Sequence, residues 1–194
     1  MKKPNSYNET QASGNFTPIE LGGHYLEIKQ VEEMQSRTGR DMIKVSFDFA
    51  RNDSQPAYFA NAFKDDVRPD KKWPNAGTTY ILTEDNDGNC SRQFKTFCTC
   101  VENSNNGFEV VWGDGFAQCF KNKAVGAVFG EVEEEYNGSV HINHKLRWFI
   151  SKDKVDGATV PEAKYLNNRQ PQTATANDGF MNIPDGLDEE LPFA

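Results

Sequence analysis

From Gly22 onward the chain alternates between apolar and polar positions. His24–Met34 does so loosely and Met42–Arg51 cleanly, with Ile43, Val45, Phe47 and Phe49 on one face and Lys44, Ser46 and Asp48 on the other. A period of two is the mark of a half-buried strand. The intervening Gln35-Ser36-Arg37-Thr38-Gly39-Arg40 contains a glycine for the turn and makes the pair a hairpin with a long basic loop. Lys123–Tyr136 and Ser139–Ser151 form a second hairpin around Asn137-Gly138, a dipeptide that accepts positive φ at little cost. Strict alternation along its second strand puts Val140, Ile142, His144, Leu146, Trp148 and Ile150 inward, and His141, Asn143, Lys145, Arg147 and Phe149 outward. The stretch 57–63 reads as a further strand, and Thr78–Thr83 as a short apolar one. One segment breaks the period: Phe94, Phe97, Cys98 and Val101 recur at spacings of three and four, which predicts a helix within Cys90–Asn103.

Two hairpins flanking an intermediate strand and a helix predict an all-β fold with one or two short helices, a Greek-key barrel of the OB type. The domain is expected over residues 21–155. Residues 1–20, rich in Asn, Ser, Thr and Gln, read as a flexible N-terminal arm. Residues 156–194 read as a linker and acidic tail, because Pro161–Ile183 holds Asn, Gln, Thr, Ala and Pro without apolar periodicity, a composition that stays disordered. There is no internal repeat. Met1–Asn15 has no apolar core of a signal peptide, and no run suffices to cross a bilayer, so a cytoplasmic protein with no membrane contact is expected.

Charge changes the picture only when its distribution is read. The whole chain carries −8, the wrong sign for a nucleic-acid binder. Yet residues 177–194 hold Asp178, Asp185, Asp188, Glu189 and Glu190 with no Lys or Arg, which leaves 24 acidic against 21 basic residues elsewhere. No phosphate-binding glycine loop, G-x-S-x-G or H-E-x-x-H occurs, and the cluster Glu131, Glu133, Glu134 and Glu135 sits at a hairpin end as a solvated rim. No enzyme is expected. Cys90, Cys98, Cys100 and Cys119 read as reduced thiols. A zinc set of Cys98, Cys100, His141 and His144 lacks the usual two-residue gap between cysteines, so neither metal nor cofactor is expected.

Binding single strands without sequence preference requires cations for the phosphates and exposed rings for the bases. Both are interleaved here. The first hairpin loop holds Arg37 and Arg40, its second strand turns Lys44 outward, and Arg51 follows. The next loop joins Lys71 and Lys72 to Trp73, and the last strand shows Lys145, Arg147 and Phe149 on one face. Trp148 shares the apolar face, so Trp73 is the stacking candidate.

The C-terminal sequence D-G-F-M-N-I-P-D-G-L-D-E-E-L-P-F-A resembles the tip of bacterial and phage single-stranded DNA-binding proteins. In that family a linker ends in a few acids and a hydrophobic–Pro–Phe triplet. The resemblance implies that Asp185, Asp188, Glu189 and Glu190 steer towards a basic-rimmed pocket on replication or recombination proteins while Leu191, Pro192 and Phe193 anchor there. In the family the terminal Phe usually offers its own carboxylate; here Ala194 follows. The body, through Gly23-His24-Tyr25, G-R-D-M-I-K-V-S-F and K-N-K-A-V-G-A-V-F-G-E-V-E-E-E-Y-N-G, also resembles small phage proteins of replication and recombination modules. The expectation is a phage- or prophage-encoded coat for exposed DNA strands, with homo-oligomerisation left open. The rival is an adaptor or inhibitor that binds a host replication or repair protein and no DNA.

Overall fold

The computed structural model describes residues 2–3 and 17–166. Its strands are β1 (Gly22–Gln35), β2 (Asp41–Phe49), β3 (Thr78–Leu82), β4 (Ala124–Tyr136) and β5 (Ser139–Ile150). Three helices lie between them: α1 (Tyr58–Asp65), α2 (Arg92–Ser104) and α3 (Phe116–Cys119). All strand pairs are antiparallel, in the order β3-β2-β1-β4-β5. The return of β4 to lie beside β1, after the β1-β2-β3 meander, is the Greek-key connection. The fold is all-β and OB-like, with α2 between β3 and β4. The edge strands β3 and β5 line one cleft, and no ladder joins them among the described residues. The barrel is therefore partly open.

The core follows the period-two pattern. Leu26, Ile28, Ile43, Val45, Phe47, Phe49, Val125 and Phe129 are buried in the core. The helical stripe Phe94, Phe97, Cys98 and Val101 packs against it. Ser91 starts α2 by accepting from the Phe94 N–H at 3.2 Å, and its own hydroxyl donates to the Leu82 carbonyl, tying the helix start to the end of β3. Phe97 meets Phe120 and Phe149 at centroid distances of 5.1 and 5.0 Å. Each such ring contributes roughly 1.5–3 kcal/mol by leaving water. The second hairpin turns as expected, Asn137 at φ 50° and Gly138 at φ 75°.

Besides Val140 and Ile142, read as inward but 49% and 57% exposed near the start of β5, four features depart from the sequence pattern. Residues 57–63 are not a strand: α1 occupies Tyr58–Asp65. The cause lies in β2, where Asp48 is 1% exposed rather than outward-facing. Its carboxylate accepts from the N–H groups of Phe59 (2.9 Å) and Ala60 (3.2 Å), capping a helix that has no local cap. Burial raises the Asp48 pKa, and those backbone donors pull the other way.

The second departure is in β5. Val128 pairs with Trp148 and Phe129 with Leu146, so Arg147 is an extra, bulged residue. One inserted residue reverses the faces beyond it. Phe149 accordingly points into the core, 6% exposed, while Trp148 points out, 44% exposed.

The remaining two concern the ends. Residues 17–20 are fastened to the barrel, with Ile19 buried and the carbonyls of Thr17 and Pro18 accepting from Tyr58 Oη and Gln55 Nε2. At the other end the packed chain continues past 155: Val155 is buried, and Lys164 exchanges backbone hydrogen bonds with Glu131 and Glu133 of β4 (2.9 and 2.8 Å). That contact needs bare backbone beneath it. A Cβ on Gly23 would lie 2.3 Å from the Val155 carbonyl oxygen, and one on Gly130 would lie 2.5 Å from Pro161 Cγ.

Candidate nucleic-acid interface

The register places Glu32, Lys44 and Tyr80 in one row across β1, β2 and β3, with Met34, Met42 and Leu82 in the next. Tyr80 is 55% exposed. Beyond the β3 edge lies the cleft to β5, about 290 Å³, lined by Tyr80, Arg92, Gln93, Arg147 and Trp148 among others. Each residue is there for a local reason. Tyr80 occupies an outward strand position, Arg92 opens α2 just after its Ser91 cap, and the β5 bulge turns Trp148 out. The arrangement puts two exposed rings and two guanidinium groups around one open-sided cleft, the combination that stacked bases and phosphates require.

Electrostatics limits the rest of the expected cationic path. Lys44 Nζ sits 3.0 Å from Glu32 Oε1, and Lys145 Nζ 2.5 Å from Glu134 Oε1. The Lys145 ammonium, followed by the Asn143 amide, lowers the Glu134 pKa. Arg147 Nη1 donates to the carbonyls of Glu131 (3.3 Å) and Glu162 (2.9 Å), which holds the guanidinium beside the cleft without neutralising it. Arg40 Nη2 likewise donates to the Glu84 carbonyl at 2.7 Å. Arg37, Arg51 and Lys72 are exposed, with no carboxylate partner among the described residues. Lys71 lies over the Phe63 ring, 5.0 Å from its centroid.

The two rings singled out from sequence have other positions. Trp73 is half-buried, with Nε1–H donating to the Gly77 carbonyl at 3.0 Å and its ring against Phe63 at 5.8 Å. Phe149 is a core residue on Phe97. Neither presents a free face for a base, whereas Tyr80 and Trp148 do. The sequence could point to Tyr80 only through its place opposite Ile81 in the short Thr78–Thr83 run, which reads as apolar throughout. Trp148 carried no such signal, because nothing in the alternation of β5 announces the inserted Arg147.

Asp185, Asp188, Glu189, Glu190, Leu191, Pro192 and Phe193 lie outside the described residues. Among those described, no group of three or more His, Cys, Asp or Glu side chains is placed to hold a metal ion, and no helix is long and apolar enough to cross a membrane. Burial pushes the Cys98 thiol up to about 12, so it holds its proton at neutral pH. No protein-family model matches this chain, and no curated protein matches its sequence.

Proposed function

We propose that this protein binds single-stranded DNA without sequence preference, coating exposed strands during phage replication or recombination, and that it recruits partner proteins through its C-terminal tip. The observation that carries the reading is the cleft between β3 and β5, where exposed Tyr80 and Trp148 stand with Arg92 and Arg147. The rings stack bases and the guanidinium groups meet phosphates. No bond is made or broken, so no catalytic group or cofactor is called for. The tip, Asp188-Glu189-Glu190-Leu191-Pro192-Phe193, supports recruitment through its likeness to the bacterial and phage tips.

The rival, a phage adaptor that binds a host protein and no DNA, draws on two observations. The net charge is −8, and Lys44 and Lys145 are already paired with carboxylates. Titration with oligo-dT separates the two. Tryptophan fluorescence should quench, and Trp148→Ala or Tyr80→Ala should each weaken binding by the worth of one stacked base, about 1–3 kcal/mol. Unchanged fluorescence at saturating oligonucleotide, with no salt-dependent retardation on a gel, favours the adaptor.

A further inference from the structure

A second recess lies where β1 finishes and β2 begins, next along β3 and α2 from that cleft: Thr83 and Phe94 line it, as Ile81 and Gln93 line the cleft. It measures about 840 Å³. Ile43, Phe94 and Phe116 form a buried floor, and Met34, Met42 and Trp112 form exposed or half-exposed walls. Trp112 is 69% exposed, and among the large apolar side chains of the described residues only Val67 and Tyr136 are more so. Its indole is nonetheless held in place, stacked on Phe116 at 5.5 Å and 21°, with Phe94 edge-on at 6.3 Å. One face of the ring is therefore packed and the other is open.

The rim is acidic. Glu33, Asp41, Glu84 and Asp114 all line the recess and all are exposed, and no Lys or Arg lines it. None of the four has an ion-pair partner among the described residues. Arg40, on the adjoining loop, directs Nη2 to the Glu84 main-chain carbonyl instead. An apolar floor within a polar rim is the form of a contact surface, and Trp is among the residues most enriched as anchors in one.

We infer that this recess docks a basic segment of another protein, one that places an apolar side chain on the Ile43–Phe94–Phe116 floor and a Lys or Arg over the open face of Trp112. Charge decides the occupant. Four uncompensated carboxylates repel the phosphates of a nucleic-acid strand, and they equally repel this chain's own acidic C-terminus. The same carboxylates attract cations, and a cation over an indole adds to that attraction.

The test uses the full-length chain and a fluorescein-labelled ten-residue peptide of alternating Lys and Leu. Binding is measured beside Glu/Leu and Lys/Gly peptides of the same length. The Lys/Leu peptide should bind best and alter tryptophan fluorescence. Trp112→Ala, and separately the Asp41→Asn plus Asp114→Asn double variant, should each weaken it about three- to tenfold. Glu135→Gln, on the β4–β5 hairpin, should leave it unchanged, and Trp112→Ala should leave oligo-dT affinity unchanged. Equal binding by wild type and Trp112→Ala, or equal binding of Lys/Leu and Lys/Gly peptides, overturns the inference. So does loss of oligo-dT binding in Trp112→Ala, which would assign the recess to DNA. Self-association in sedimentation that disappears in Trp112→Ala would make the occupant a second copy and overturn it too.

Discussion

Two buried polar side chains do more for this barrel than their neighbours in sequence suggest. Asp48, in the middle of an apolar strand, caps α1 from a distance, and Asp48→Ala leaves the Phe59 and Ala60 N–H groups without an acceptor. Each orphaned donor costs roughly 1–3 kcal/mol, so thermal unfolding of Asp48→Ala should move down by several degrees, and Asp48→Asn should recover part of the loss. His24, 1% exposed, stacks on Phe49 at 4.4 Å and sets Nδ1 against Asp53 and Nε2 against the Glu20 carbonyl, both at 2.9 Å. With an acceptor at each nitrogen, both must carry a proton. Burial lowers the His24 pKa, but the Asp53 hydrogen bond and the Glu20 carbonyl outweigh it, and the net shift is upward. For Asp53, burial pushes up and the His24 bond prevails, so the net shift is downward. The signs then fix the window. Asp53 contributes stability above the ordinary carboxylate range, lost as pH falls through its lowered folded value. His24 contributes stability in full below about 6.5, lost as pH rises through its raised folded value. The melting temperature should therefore decline as pH rises above about 6.5, and His24→Gln should flatten that decline. An unchanged slope in His24→Gln would mean that the pair does not titrate in this window.

At the scale of elements, what the sequence made legible is what rests on local periodicity. The four long strands, α2 and the Asn137-Gly138 turn all follow from alternation, a three–four stripe and a dipeptide with positive φ. What stayed hidden rests on contacts between distant residues or on single insertions. The stretch 57–63 contains aromatics that suit a strand, and the long-range cap from Asp48 together with the seating of Phe59 in the core favours a helix instead. The inserted Arg147 exchanges the faces of Trp148 and Phe149, which is why Phe149 looked exposed and the useful ring looked buried. The segment 156–166 lacks apolar periodicity because it is held by the Lys164 backbone bonds and by single side chains such as Pro161 seated over glycines of β1 and β4. Its value can be measured by truncation. Ending the chain after Leu166 should leave the melting temperature unchanged, whereas ending it after Pro161 removes the Lys164 bonds to Glu131 and Glu133 and should lower it. Gly126→Ala should cost more than that truncation. Its Cβ would lie 2.7 Å from Val155 Cγ2 and 3.0 Å from the Ile150 carbonyl oxygen, an overpacking worth roughly 1–3 kcal/mol. If Gly126→Ala were neutral to unfolding, Val155 would not be seated on β4 as described.

For the whole molecule the distribution of charge matters more than its sum. The body holds 24 acids against 21 bases, and residues 177–194 add five acids and no base. On the proposed function a strand of DNA would meet Arg92 and Arg147 at the β3–β5 cleft, whereas the neighbouring recess beside Trp112 has a separate, acidic lining. The C-terminal acids are tethered to the same chain, so on that proposal they would compete weakly with DNA for those cations. Truncation after Gly179 removes Asp185, Asp188, Glu189 and Glu190 together with Leu191, Pro192 and Phe193. Affinity for oligo-dT should then hold or rise, most visibly at about 0.01 M salt, where the Debye length is about 30 Å, and little at about 0.15 M, where it is about 8 Å. Capture of a host replication or recombination protein should be lost in the same variant. Phe193→Ala alone separates the two effects, because it removes the apolar anchor and leaves every charge: partner capture should fall while oligo-dT affinity stays at the full-length value. Arg147→Ala supplies the opposite separation, weakening oligo-dT and reducing its salt slope by about 0.7, the value of one phosphate contact on a single strand, with partner capture intact. If truncation after Gly179 abolished oligo-dT binding, the tail would be part of the DNA site, and the division of labour between barrel and tip would be wrong.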